Sequence, residues 1–164
     1  MTDLTRHLPL AREIVEKATA AGLMVATAES CTGGLVAGTL TEIAGSSAVV
    51  DRGFVTYSNE AKAELLGVPK ELIERVGAVS EEVARAMAIG AIARSRADIA
   101  VAITGIAGPG GGSADKPVGL VHFAALRRGG EPVPFAHVYA GLDRSGVRLA
   151  SVGQALWMIM ELLG

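Results

Sequence analysis

The chain has 164 residues, half of them apolar, with 15 Lys and Arg against 17 Asp and Glu and a formal net charge of −2. That length and apolar content are enough for one domain, residues 1–164, whose core needs no disulfide or metal staple. The near-neutral balance, with no run of like charge, argues against nucleic acid as a partner.

The N-terminus, Met1-Thr2-Asp3-Leu4-Thr5-Arg6, lacks the basic-then-apolar order of a signal peptide, and Cys31 is the single cysteine. Every apolar stretch is broken before the roughly 20 residues that span a bilayer. A soluble protein of the reducing cytoplasm, with no membrane partner, is expected. Leu8, Ala11, Ile14, Val15 and Ala18 recur at helical spacing, and Ala21-Gly22 ends that helix before the apolar run Met24-Val25-Ala26. A polar corner, Ala28-Glu29-Ser30-Cys31-Thr32-Gly33-Gly34, follows, and residues 35–43 read as the second helix. The β-branched and aromatic segment Phe54-Val55-Thr56-Tyr57 predicts the second strand. Ser58 or Asn59 caps a short helix ending near Gly67, Pro69 fits the first turn of another, and Ser80-Glu81-Glu82 opens a longer one. Ile99-Ala100-Val101-Ala102-Ile103 suits a central strand buried on both faces. The glycine-dense stretch from Thr104 to Ser113 then runs through Lys116 into two strands, 120–126 and 133–139, joined by a Gly129-Gly130 hairpin turn. The last segment, 144–163, is an amphipathic helix whose Trp157 and Met158 offer either a dimer-packing face or a core-facing stripe.

Five strands interleaved with helices imply an α/β fold. We expect a three-layer α/β/α sandwich around a mixed, mostly parallel five-stranded sheet, with one antiparallel strand from the hairpin. Ligands of such sheets bind beyond the carboxyl ends of the strands. Three polar corners fall there: one holds Ser30, one Tyr57 and Lys62, and one the glycine loop. Neighbouring strands would gather them into one site.

Ser30 on its own is equally a competent helix cap, Lys62 a solvated helix residue and Tyr57 a half-buried strand aromatic. In company they suggest a catalytic set, because a nucleophilic serine needs a base and none of His7, His122 or His137 lies in such a corner. Lys62 can serve if burial, or a cation such as Arg52, lowers its pKa. Cys31 is a competing nucleophile if a helix N-terminus depresses its pKa, or a plain packing residue, as small reduced cysteines usually are. The glycine loop can cradle phosphate through successive N–H groups with Lys116 adding charge. It matches neither a triphosphatase P-loop nor a dinucleotide fingerprint. The Tyr57 to Lys62 spacing is one residue longer than that of the short-chain dehydrogenases. The scattered histidines and lone cysteine offer no metal-ligand spacing.

The four motifs Ala28-Glu29-Ser30-Cys31-Thr32-Gly33-Gly34, Tyr57-Ser58-Asn59-Glu60-Ala61-Lys62, Gly77-Ala78-Val79-Ser80 and Thr104-Gly105-Ile106-Ala107-Gly108-Pro109-Gly110-Gly111 resemble, in this order, the CinA carboxy-terminal domain family, a competence- and damage-inducible group. The resemblance covers nearly the whole chain. It implies a nicotinamide-nucleotide amidase that converts nicotinamide mononucleotide to nicotinate mononucleotide and ammonia without a cofactor. With only about twenty residues before the first strand, it further implies the form that stands without the molybdopterin-binding-like domain of longer relatives. Carried over, Ser30 is the nucleophile and Tyr57 and Lys62 activate it and pass its proton to the departing ammonia. Amides from Cys31 to Gly34, or that of Gly105, would stabilise the oxyanion. Substrate-binding contacts would come from Thr32, Gly33, Gly34, Thr104, Gly105 and Lys116, with the phosphate on helix N-terminal and glycine-loop amides. One departure is Leu142 before Asp143-Arg144, where the family commonly has glycine. The competing expectations are a non-catalytic nucleotide-binding or scaffold domain, and an amidase for another small amide.

Overall fold

The computed structural model describes residues 2–164. Helix α1 (Leu8–Ala21) buries Ala11, Ile14, Val15 and Ala18, the expected stripe, and stops at Gly22, whose φ of 67° places it in the left-handed region. Strands β1 (Val25–Glu29), β2 (Val50–Val55), β3 (Ile99–Gly105), β4 (Leu120–Arg127) and β5 (Val133–Val138) form one sheet in the order β2-β1-β3-β4-β5. β1 pairs in parallel with both β2 and β3, while β4 runs antiparallel to β3 and to β5. One strand therefore opposes the other four, as the hairpin required.

Alternation along the strands sorts the two faces. Val25, Ile99, Val101, Ile103, Val121 and Phe123 pack against α1, α2 (Leu35–Thr41) and α6 (Arg144–Leu163). The opposite face is lined by Ala28, Ala100, Ala102 and Ala124, and α5 (Glu81–Ala93) lies on it through Ala84, Met87, Ala88 and Ala91. Small residues on both surfaces let that helix sit close to the sheet. α3 (Asn59–Leu66) and α4 (Lys70–Val76) complete this layer, giving the three-layer sandwich. At Gly90 the approach is closest: a Cβ there would overlap the Leu66 carbonyl oxygen.

Several details depart from expectation. β2 ends at Val55 rather than running to Tyr57, because its pairing with β1 stops at Glu29 opposite Val55. Pro69 precedes α4 as its cap instead of entering its first turn. The left-handed turn before α6 is made by Gly141 at φ 78°, so Leu142 keeps an ordinary backbone and the missing glycine costs nothing locally. In α6, Met158 is buried while Trp157 stays half exposed. No helix among the described residues is long and apolar enough to cross a membrane.

Candidate active site

Register brings the polar corners together. Glu29 of β1 lies level with Val55 of β2 and Ile103 of β3, so Ser30, Thr56 and Thr104 emerge side by side at the carboxyl edge of the sheet. Ser30 N–H donates to Ile103 O at 2.9 Å, and Thr56 N–H to Glu29 O at 2.9 Å, which extends the ladder to the corner itself.

Successive side chains of a strand point to opposite faces. Glu29 turns one way, fully buried, and accepts from Thr27 Oγ1 (3.1 Å), Val36 N (2.9 Å) and Ala37 N (3.1 Å). Leu35 N donates to Thr32 O, so the first turn of α2 is satisfied from within the chain. Ser30 turns the other way, to α3. That helix is capped by Ser58, whose Oγ accepts from Ala61 N at 3.0 Å, and it buries Lys62 and Leu66 one turn apart.

Lys62, only 1% exposed, donates from Nζ to Ser30 Oγ at 2.9 Å, Thr56 O at 2.8 Å and Tyr57 O at 3.3 Å. These acceptors match the three donors of an ammonium. Burial nevertheless disfavours the charge and lowers the pKa from 10.5 to about 8. No cation shares in this: Arg52, the expected helper, is held by Asp51 Oδ2 at 2.8 Å and by Arg94 O at 3.0 Å. Ser30 does not cap α2; its Oγ is committed to Lys62. When Nζ loses its proton, the same contact can carry the Ser30 hydroxyl proton to the amine, which is the geometry of a general base beside a nucleophile.

Cys31 behaves in the opposite way to the expectation of a depressed pKa. It is buried, and desolvation pushes its thiol up to about 12, so it stays protonated beside Ser30. It packs instead on Gly105, where a Cβ would stand 3.1 Å from Cys31 Sγ and 2.8 Å from Val121 Cγ2, so only glycine fits.

A cleft of about 270 Å3 opens over Ser30 and Lys62, bordered by Cys31, Tyr57, Asn59, Thr104, Gly105 and Arg144, with Ala78, Val79 and Ala107 as apolar wall. Tyr57 is mostly exposed, and its hydroxyl accepts from Arg144 Nη2 at 3.2 Å rather than bonding Ser30. Thr104 Oγ1 donates to Ala78 O at 2.9 Å, tying the 77–80 loop to the end of β3. Of the other expected binding residues, Thr32 is fully buried, Gly33 and Gly34 form the left-handed turn into α2, and none of them borders the cleft. Lys116 also stands outside it, with Nζ donating to Val76 O at 2.6 Å. The glycine loop is held at both ends: Ile106 N donates to Leu120 O, Gly119 N to Ile106 O, and Ser113 N to Lys116 O. Among the described residues no group of His, Cys, Asp and Glu could hold a metal ion. Glu29 and Arg144 were given no role from the sequence, although Glu29 sits inside the first motif and Arg144 in the Asp143-Arg144 pair before the last helix.

Comparison with known proteins places these features. The CinA C-terminal domain model matches residues 7–163. The nicotinamide-nucleotide amidohydrolase PncC of Shigella flexneri is 51% identical over 161 residues, covering 98% of this chain and 96% of that protein. A CinA-like protein of Geobacter sulfurreducens is 50% identical over 98% of this chain, which spans only 38% of that longer protein. A putative competence-damage inducible protein of Symbiobacterium thermophilum is 54% identical, and the chain spans 35% of it. Among solved structures, the competence/damage inducible protein CihA of Agrobacterium tumefaciens superposes with a TM-score of 0.93 at 59% identity, over 94% of each chain. With its fold, motifs and nearly full-length family match in agreement, the chain belongs to the CinA C-terminal domain family.

Proposed function

We propose that this protein is a nicotinamide-nucleotide amidase that hydrolyses the carboxamide of nicotinamide mononucleotide through Ser30. The observation that carries the proposal is the 2.9 Å contact between Ser30 Oγ and the buried, pKa-lowered Lys62 Nζ in the floor of a cleft. The substrate comes from the likeness to the PncC amidohydrolase over nearly the full length of both chains.

In the acylation step neutral Lys62 takes the Ser30 proton as Oγ bonds to the amide carbon. The resulting ammonium returns that proton to the amide nitrogen, the C–N bond breaks, and ammonia leaves an ester on Ser30. Water, deprotonated by Lys62, then attacks the ester, and the ammonium passes that proton to Ser30 Oγ as the acyl–oxygen bond breaks, which releases the carboxylic acid as its carboxylate and restores the free hydroxyl and amine. With the pKa near 8, about a tenth of the molecules hold the free amine at neutral pH, enough for a general base. Cys31 follows the nucleophile and borders the cleft, and its backbone N–H is the amide we assign to the oxyanion. Thr104 and Gly105 also border the cleft. Tyr57 shares the cleft and serves as a proton relay to the leaving ammonia after its hydroxyl leaves Arg144.

The test is ammonia release from a panel of amides. Nicotinamide mononucleotide is expected to exceed free nicotinamide in kcat/KM by at least about 100-fold. Equal rates for the two would refute the nucleotide assignment, and binding without turnover would favour a non-catalytic nucleotide-binding domain.

A further inference from the structure

We propose that Arg144 is the phosphate reader of this cleft, and that neither the N-terminus of α2 nor Lys116 binds the phosphate. The proposal rests on the nucleotide amidase assignment above and adds the residue that distinguishes a nucleotide from its nucleoside.

The cations divide cleanly. Among the described residues, Lys62 and Arg144 are the only cations that border the cleft, and no carboxylate does. Lys62 is sealed behind Ser30 with all its donors engaged. Lys116 is spent on the last carbonyl of α4, and Arg148 is bonded to Cys31 O at 3.0 Å and Thr32 O at 3.4 Å. The first-turn amides of α2, the obvious anion site in the sequence, are occupied by the chain's own Glu29 carboxylate.

Arg144 is different. It is exposed, makes no ion pair among the described residues, and gives Nη1 to Gly108 O at 2.8 Å and Nη2 to the Tyr57 hydroxyl at 3.2 Å. A guanidinium presents several more N–H donors in a planar fork that matches a phosphate, and these have no protein acceptor here. It is the first residue of the 20-residue α6, so its charge adds to the positive end of a long helix. The neighbouring Asp143 carboxylate is turned away to cap that helix, accepting from Gly146 N at 2.7 Å. Its neutral partners, a carbonyl and a phenol, are weaker acceptors than a phosphate oxygen and are exchanged for it on binding.

The experiment compares kcat/KM for nicotinamide mononucleotide with that for its dephosphorylated nucleoside, in wild type, Arg144→Met and Arg144→Lys. The wild-type preference for the nucleotide is expected to fall about 10- to 100-fold in Arg144→Met and to recover in part in Arg144→Lys. A merely structural Arg144 would depress both substrates alike, and an unchanged ratio would overturn the proposal. Equilibrium binding of inorganic phosphate separates this failure from failure of the amidase assignment. Phosphate held by wild type and lost in Arg144→Met sustains the subsite even if no amide is cleaved, and equal retention by both overturns it.

Discussion

Replacing Lys62 by Met should trade catalysis for a changed pH dependence of stability. The folded chain holds the Lys62 ammonium at a pKa near 8 instead of 10.5 because its side chain is buried. At about 1.4 kcal/mol per pH unit, that amounts to about 3 kcal/mol of stability withheld while the ammonium persists. The sign follows from proton binding. Between the two values the unfolded chain still holds the proton that the folded chain has released, so stability rises with pH there. Below about pH 8 the penalty is complete, and above the unfolded value it is gone. Methionine has no such titration. It also leaves Ser30 Oγ and the Thr56 and Tyr57 carbonyls without their donor, a loss of about 1–3 kcal/mol for each group that stays unsatisfied, which matches or exceeds the gain at neutral pH. The informative quantity is therefore the stability of wild type minus that of the variant. Measured by urea unfolding, it should move in favour of wild type by about 2–3 kcal/mol between about pH 7 and pH 10. A difference that stays flat over that range would refute the burial argument and the general-base role built on it.

The same amine should set the pH profile of the reaction: kcat/KM for amide hydrolysis rises with pH and levels off above about 8, and a profile flat from acid to alkaline pH would exclude Lys62 as the base. Cys31, held protonated by burial, should resist iodoacetamide in the folded protein, and Cys31→Ala should keep its turnover within about 10-fold of wild type. Gly90→Ala should destabilise the fold by about 1–3 kcal/mol or more in urea, since the added methyl meets the Leu66 backbone where α5 crosses α3.

Local patterns in the chain revealed the elements that depend on neighbours in sequence. The Ala11 to Ala18 stripe, the Gly22 stop, the Ser58 and Ser80 caps and the all-apolar β3 carry their own short-range signals, and each stands where those signals put it. Ser30 and Lys62 were legible for a related reason, as each lies in a polar corner following a strand. Their meeting was not, because it depends on β2 and β3 flanking β1 in register. Glu29 reads as part of a nucleophile corner, yet strand alternation turns it onto α2 and closes the anion site that helix would otherwise offer. Arg144 reaches Tyr57 across 87 positions and Gly108 across 36, distances over which composition and spacing carry no information. For Cys31 the packing role prevails over the nucleophile reading, because its environment is set by contact with Gly105 and by burial, not by the helix that follows.

The most direct test of the account is ammonia release from nicotinamide mononucleotide by Ser30→Ala beside wild type, with both shown to be folded by urea unfolding. Loss of a nucleophile typically costs about 10³-fold or more in kcat, and that loss is the expected result. A Ser30→Ala protein that still releases ammonia at the wild-type rate would contradict covalent catalysis at this serine and the Ser30–Lys62 mechanism with it.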